Sequence, residues 1–366
     1  MTIYVDHTHL GRHVTGLERI THELFSPAAL TPLRAIPVTS HGTARMIAAQ
    51  TFGLPARLAM SPSSILLCPG FPPSPLLRPF ASRVIPYIHD VFLLTRRGDL
   101  SRKAKLYMAE PFKIAVRHYP RFFANSADTR RKLSAHCRPD AEITLYRPGV
   151  RNVFGLSPDA RIARDESAQS IRLVALGTVE PRKNFVAAAR ILTVLRQQGF
   201  PGATLEIVGR EGWGDDWRML KAIPGVQLHG YQTAEQVHRI LHDADIFICT
   251  SHEEGLGLPL LEAQYAGLPI VAPDAPIFHE VLDHSGIFID PGSPTDAAGR
   301  IAALIAHPGW RNFGVVQGER NLARWNAQAA ADRDAVLRTI VRVARQPHRK
   351  PSQQAPLEHT ERGNVR

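Results

Sequence analysis

Between residues 171 and 305, short apolar runs, the first three closed by glycine, alternate with stretches of helical spacing. Ile171–Leu176, Leu205–Val208, Val226–Leu228, Ile246–Cys249, Leu268–Ala272 and Gly286–Ile289 read as buried strands. Phe185–Leu195, a helix capped by Thr233, Pro259–Ala266 and a helix from Ser293-Pro294 to Ile305 fill the intervals. Gln236 lies three residues after Thr233, the spacing of a capping box. The first part repeats the theme less regularly. Its candidate strands are Ile3–Asp6, Ala35–Val38, Ile65–Cys68, Val84–Ile88, Phe122–Asn125 and Ile143–Tyr146. Its candidate helices are Leu17–Leu24, Arg102–His118 and Ala127–His136, the last with Ser126 as N-cap. Strand–helix alternation of this kind predicts right-handed βαβ units and parallel sheets.

The pattern weakens over 151–170, which reads as a linker, and Trp325–Val343 is helical by spacing. The expected architecture is α/β. A first doubly wound domain spans 1–150, a second spans 171–345, and a disordered tail spans 346–366. Two such domains would face each other across a cleft, with ligands at the carboxyl ends of the strands.

Composition changes this picture little, but charge changes it more. Hydrophobic residues make up 44% of the 366 residues and charged residues 21%, as in ordinary globular proteins. No apolar stretch is long enough to cross a bilayer, and the N-terminal segment lacks the regions of a signal peptide. Three scattered cysteines form neither a disulfide framework nor a metal cluster. A cytoplasmic protein is expected. The net charge of +11 is carried entirely by residues 1–150, with 20 Lys+Arg against 9 Asp+Glu. Such asymmetry points to an anionic partner or to a solvated basic face.

The richest string is Cys249–Glu262, CTSHEEGLGLPLLE, placed between a buried strand and a helix. Gly255 and Gly257 allow close backbone approach, and the N–H groups before Pro259 offer an anion site. Glu254 and Glu262 add two carboxylates. Phosphates on backbone N–H groups and hydroxyls on carboxylates suit a sugar nucleotide. A plain helix N-terminus with compensating acids is the simpler alternative. There is no H-E-x-x-H zinc pattern, no G-x-x-x-x-G-K-[ST] phosphate loop and no G-x-S-x-G elbow.

Glu254–Glu262 (EGLGLPLLE) resembles the E-x7-E motif of retaining, GT-B-fold glycosyltransferases, the group 1 or family 4 enzymes that include bacterial mannosyltransferases. Gly177–Asn184 (GTVEPRKN), Ile207–Gly209, Leu228–Tyr231 (LHGY), Ala244–Ser251, Ala266–Pro273 and Ile88–Asp90 resemble further segments of that family. The resemblance covers nearly all of 170–305 and is thinner over 1–150. It implies that Glu254 approaches the donor sugar and that Glu262 binds the ribose. Backbone N–H groups at Gly255, Leu256, Gly257 and Leu258 would meet the diphosphate, with Gly209 and Tyr231 also on the donor side. Lys183 matches the family's diphosphate-neutralising lysine. Its companion arginine is replaced here by Thr178, and Arg182 is the candidate substitute. His89 matches the histidine near the anomeric centre. The loop His7–Gly16, with Gly11, Thr15 and Gly16, resembles the loop facing donor and acceptor. The resemblance implies retention of configuration and no required metal or other cofactor.

It also gives the basic first part a meaning. Arg102, Lys103, Lys105, Lys113, Arg117, Arg121 and Arg130–Lys132 interleave with Leu106, Tyr107, Phe112 and Tyr119. Residues 101–138 therefore resemble a surface for anionic lipid. The expected partners are a nucleotide-sugar donor, a glycan or lipid-linked acceptor and the inner membrane face. A mannosyl donor linked to GDP is favoured by resemblance. The rivals are a GT-B-fold sugar-nucleotide epimerase, a basic nucleic-acid-binding protein and a non-catalytic sugar-binding homologue. Nucleic acid is disfavoured by the 7% aromatic content and the lack of any recognised binding motif.

Overall fold

A computed structural model describes residues 2–11, 15–95, 105–159 and 170–346. The chain divides into two compact units. One takes the described parts of Met1–Ala124, Lys132–Thr144 and Asp334–Arg366; the other takes those of Asn125–Arg131 and Leu145–Arg333. The divisions at 150 and 171 contain neither the excursion at 125–131 nor the return at 334.

The first unit holds a sheet of β1 (Ile3–Asp6), β2 (Ala35–Val38), β3 (Ile65–Cys68), β4 (Val84–Ile88), β5 (Arg121–Ala124) and β6 (Glu142–Leu145), in the order β2-β1-β3-β4-β5-β6. Strands β3 and β4 are buried along their whole length, as expected of parallel strands covered on both faces. The order reverses between β1 and β3, so the crevice where ligands bind such sheets lies beyond Asp6 and Cys68.

The second unit holds β7 (Arg172–Leu176), β8 (Thr204–Val208), β9 (Val226–Gly230), β10 (Ile246–Ile248), β11 (Ile270–Pro273) and β12 (Gly286–Ile289), in the order β12-β11-β10-β7-β8-β9. Every registered pair is parallel. The helix Phe185–Gln197 packs Phe185, Ile191, Leu192 and Leu195 into the core of this sheet. Both capping-box bonds between Thr233 and Gln236 are present at the start of Ala234–Asp243. The order reverses between β7 and β10, so this sheet's crevice lies beyond Leu176 and Ile248.

Several elements differ from the pattern. The expected helix Arg102–His118 is a wide turn, Lys105–Ala109, running into a helix at Glu110–His118; its start lies outside the described residues. Helix Pro259–Ala266 is shorter, Leu258–Gln264, so Glu262 sits in its second turn rather than its first. Of the segment read as a linker, 160–169 lie outside the described residues. Residues 151–159 pack within the second unit, where His238 Nδ1 meets Phe154 O at 2.8 Å. Trp325–Val343 is part of a longer helix, Trp310–Arg345. The tail from 347 onward also lies outside the described residues.

Candidate active site

Two segments meet at the reversal of the second sheet. One follows β7 and carries Gly177, Arg182 and Lys183. The other follows β10 and carries Cys249–Gly257. Thr250 Oγ1 donates to Asn184 O (2.8 Å) and His252 N to Arg182 O (3.0 Å), tying the two together. Close packing of the strand ends requires small residues: a Cβ on Gly209 would lie 1.8 Å from Gly177 O, and one on Gly177 3.1 Å from Lys183 Cε. The Lys183 stem therefore crosses Gly177, and Gly209 holds β8 against β7.

Lys183 Nζ donates to Glu254 Oε1 at 2.5 Å, and Ser251 Oγ donates to the same oxygen at 2.7 Å. Arg182 reaches Glu254 Oε2 at 3.3 Å and Glu253 O at 2.9 Å, and its other edge meets Glu180 at 2.8 Å. Burial pushes the Glu254 carboxyl up, but Lys183 and Arg182, with hydrogen bonds from Lys183 and Ser251, outweigh it. Its pKa is held below the ordinary value, so the carboxylate is ionised at neutral pH. Burial works against the Arg182 charge in turn, but Glu254 and Glu180 more than restore it. A carboxylate offers about four acceptor sites, and three are used here. Glu254 thus keeps capacity for one further hydroxyl. Arg182 is taken up by carboxylates and a carbonyl, and acts first on Glu254.

Beyond Glu254 the backbone turns through Gly255 and Leu256 to Gly257, whose φ of 79° favours glycine. Among the described residues, the N–H groups of Gly255, Leu256 and Gly257 donate to no protein group. The Leu256 and Leu258 side chains are buried, so these residues offer the site only their backbone. The helix that follows has seven residues, too short for a large dipole contribution. Glu262 is buried in it. At the sheet's other edge, Tyr231 is exposed beneath the Arg210 guanidinium, 4.6 Å from ring centroid to Cζ. Gly209 N donates to Gly230 O at 2.9 Å.

In the first unit, the predicted loop after β1 is pinned in its described part. Asp6 Oδ1 accepts from Thr8 N and Thr8 Oγ1, and Ser40 Oγ donates to Thr8 O. His9 is 1% exposed, bonds Thr21 Oγ1 through Nε2 at 3.0 Å, and has no partner for Nδ1 among the described residues. Gly70 packs against that nitrogen: a Cβ there would be 2.4 Å away. His89, just after β4, bonds Pro69 O through Nε2 at 2.7 Å; a carbonyl only accepts, so Nε2 carries the proton. Burial pushes both His9 and His89 down to about 4. A cavity of about 240 Å³ adjoins His89, walled by Phe71, Tyr87, Phe92, Met108 and Phe112. Gly11 and Gly16 are described, Gly11 with φ of 80°, and Thr15 opens the helix Thr15–Phe25. Residues 12–14 lie outside the described residues.

The basic surface is altered. Arg102 and Lys103 lie outside the described residues, Arg121 is occupied by Ser82 O and Gln346, and Arg131 pairs with Asp128. Phe112 and Tyr119 are core residues, whereas Leu106 and Tyr107 are 64% and 59% exposed. No described helix is long and apolar enough to cross a membrane.

Ser251 is given no role by any motif in the sequence, although its S-x-x-E spacing to Glu254 places both on one turn. Ser126 is marked there only as a helix cap, and nothing in the sequence marks Thr129, Arg147 or Glu280.

Residues 159–314 match the family model described as "Glycosyl transferases group 1". The O-antigen chain mannosyltransferase B of Escherichia coli is 28% identical over 151 residues, 39% of each chain. The D-inositol 3-phosphate glycosyltransferase of Segniliparus rotundus is 25% identical over 282 residues, 74% of this chain and 56% of that one. The alignments thus span between two fifths and three fifths of these relatives. A crystal structure of Anabaena Alr3699/HepE in complex with UDP and glucose superposes with a TM-score of 0.66 at 16% identity, covering 93% of this chain and all of that one. Residues 159–314 are thus similar to the group 1 glycosyl transferases, and the chain has the GT-B fold of two doubly wound parallel sheets.

Proposed function

We propose that this protein is a glycosyltransferase of glycan biosynthesis that takes its sugar from a nucleotide-diphospho-sugar. The observation that carries this is the Lys183–Glu254–Arg182 cluster, set at the reversal of the second sheet beside three backbone N–H groups that donate to no described protein group. The Lys183 ammonium has donors beyond the one given to Glu254, and they suit a diphosphate. Glu254 suits a sugar hydroxyl. Glu262 and the Leu228–Tyr231 turn are assigned to the nucleoside, by likeness to the family.

Breaking the bond between the anomeric carbon and the phosphate oxygen leaves negative charge on the diphosphate. Lys183 and the Gly255–Leu258 backbone stabilise that charge where it develops, and the scheme calls on no metal. The bond from the acceptor oxygen forms on the same face, and the acceptor's proton passes to the departing phosphate, so configuration is retained. His89 and the loop to Gly16 are assigned to the sugar and acceptor. The mannosyltransferase relative favours mannose, and with it GDP; the UDP held by the Anabaena protein makes uridine sugars the competing donors.

Thermal melting with GDP, UDP and their sugars tests this reading. A ligand at 100 times its Kd adds about 2.7 kcal/mol. The matching nucleotide raises the melting point, and Glu262→Ala removes the effect. No shift from any nucleotide contradicts the reading.

We also assign the exposed Leu106 and Tyr107, with Lys105 and Lys113, to contact with anionic lipid next to a lipid-linked acceptor. Vesicles of anionic lipid should bind the protein at low salt and release it at high salt, because roughly 1 kcal/mol per basic residue is at stake. Absence of binding at low salt rejects the assignment.

A further inference from the structure

The segment Asn125–Arg131 leaves the first sheet after β5, belongs to the second unit, and touches the donor loop there. Ser126 Oγ lies 3.1 Å from Gly255 O, and Thr129 Oγ1 lies 3.4 Å from the same oxygen. Ser126 is also the N-cap of the helix Ala127–Ser134, accepting Thr129 N at 3.0 Å. That bond uses an Oγ lone pair and leaves the hydroxyl proton to donate. Its two acceptors in reach are Gly255 O and, farther away at 3.3 Å, Asn125 Oδ1.

The start of this helix is fixed independently of the loop. Glu280 accepts Ala127 N at 2.7 Å and Asp128 N at 2.9 Å, one on each carboxylate oxygen. Arg147 binds Glu280 at 3.0 Å and Asp332 at 2.7 Å, with all three side chains at least four-fifths buried. Two hydroxyls are thus held on a rigid turn and aimed at one carbonyl, that of the residue following Glu254.

Resting on the reading that this loop receives a diphosphate, we propose that Ser126 and Thr129 are positioning residues for it. A trans peptide is planar, with its C=O and N–H pointing in opposite directions. Anchoring Gly255 O on the Ser126 side aims the Leu256 N–H the other way. That N–H donates to no described protein group. The two hydroxyls thereby preset one amide of the diphosphate cradle before ligand arrives, and preorganised donors are those that stabilise developing charge.

The test uses the full chain labelled with 15N-leucine, the Leu256 amide being assigned by its loss in Leu256→Ile. The nucleoside diphosphate that stabilises the wild type, GDP or UDP, is titrated alongside its nucleoside. In the wild type the Leu256 amide moves with the diphosphate and not with the nucleoside. In Ser126→Ala/Thr129→Val, that movement is lost. Diphosphate affinity falls about tenfold, the scale of one hydrogen bond to a charged group, while nucleoside affinity holds. Ser126→Thr/Thr129→Ser, which keeps both hydroxyls, restores the wild-type pattern. Thr129→Val alone retains the helix cap and shows the smaller part of the effect. An unchanged diphosphate affinity and Leu256 shift in the double variant overturn the proposal while leaving the donor reading intact. An equal loss for nucleoside and diphosphate also overturns it, since that is general loosening. A wild type that binds neither GDP nor UDP overturns the donor reading and this proposal with it.

Discussion

Lys183→Ala is expected to lower kcat/KM for sugar transfer by about 10²–10³-fold, the cost of removing one preorganised group from a developing anion. The magnitude follows from where Lys183 sits. Its side chain is 13% exposed, its stem lies on Gly177, and among the described residues its ammonium donates to a buried carboxylate. Little water competes for it, so its charge acts across a low dielectric. Lys183→Arg should not recover the loss. A guanidinium is bulkier than an ammonium and presents a planar fork rather than a point charge. Some of the deficit will be structural, because Glu254 is then left buried with Arg182 and Ser251 alone. The double variant Lys183→Ala/Glu254→Ala separates the parts. If the two residues act as a unit, it is barely worse in kcat/KM than the poorer single variant. Independent multiplication of the two losses would show that they serve separate steps.

The first unit should lose stability steeply between pH 6.5 and 4. His9 and His89 are both pushed to about 4 from an ordinary 6.5, in each case chiefly by burial. His7 and His89 depress His9 further, as does His22, while Glu18 opposes them. Both rings are neutral when folded. The unfolded chain binds more protons across this window, so stability rises with pH and falls as pH drops below 6.5. By pH 5 each histidine costs about 2 kcal/mol, and the loss levels off below about pH 4. That is a large share of a domain stability of about 5–15 kcal/mol. His9→Phe keeps the edge contact with Phe71 and removes both the titration and the unpartnered Nδ1. Urea unfolding at pH 7 and pH 5 should show the gap between the two conditions shrink by about 2 kcal/mol in that variant. A gap equal to that of the wild type would mean His9 is protonated, or exposed, in the folded protein at pH 5.

Much of the architecture was legible because parallel strands, covered on both faces, are short apolar runs. Ile3–Asp6, Ala35–Val38, Ile65–Cys68, Val84–Ile88 and Gly286–Ile289 occur with the expected bounds. The helices between Thr43 and Met60, and Pro276–Leu282, were not seen; the first is broken by a wide turn and the second has only seven residues. Glu254 and Lys183 were legible as a pair only through resemblance, since 71 residues separate them. Their geometry confers roles that spacing did not suggest: Arg182 and Ser251 hold Glu254. The Ser126–Gly255 link spans 129 residues and involves a carbonyl, which leaves no mark in sequence. The basic stretch read as one surface contains core residues, because Phe112 and Tyr119 fall on the inward side of the chain while Leu106 and Tyr107 do not.

The central claim is that the Lys183–Glu254 cluster and the loop from Gly255 hold a diphosphate. Calorimetric titration with the nucleoside mono- and diphosphates of guanosine and uridine tests it most directly. For one base the second phosphate is expected to raise affinity at least about tenfold, worth about 1.4 kcal/mol, and Lys183→Ala to erase that increment while monophosphate binding persists. Equal affinity for mono- and diphosphate in the wild type, or an increment that survives Lys183→Ala, would contradict it.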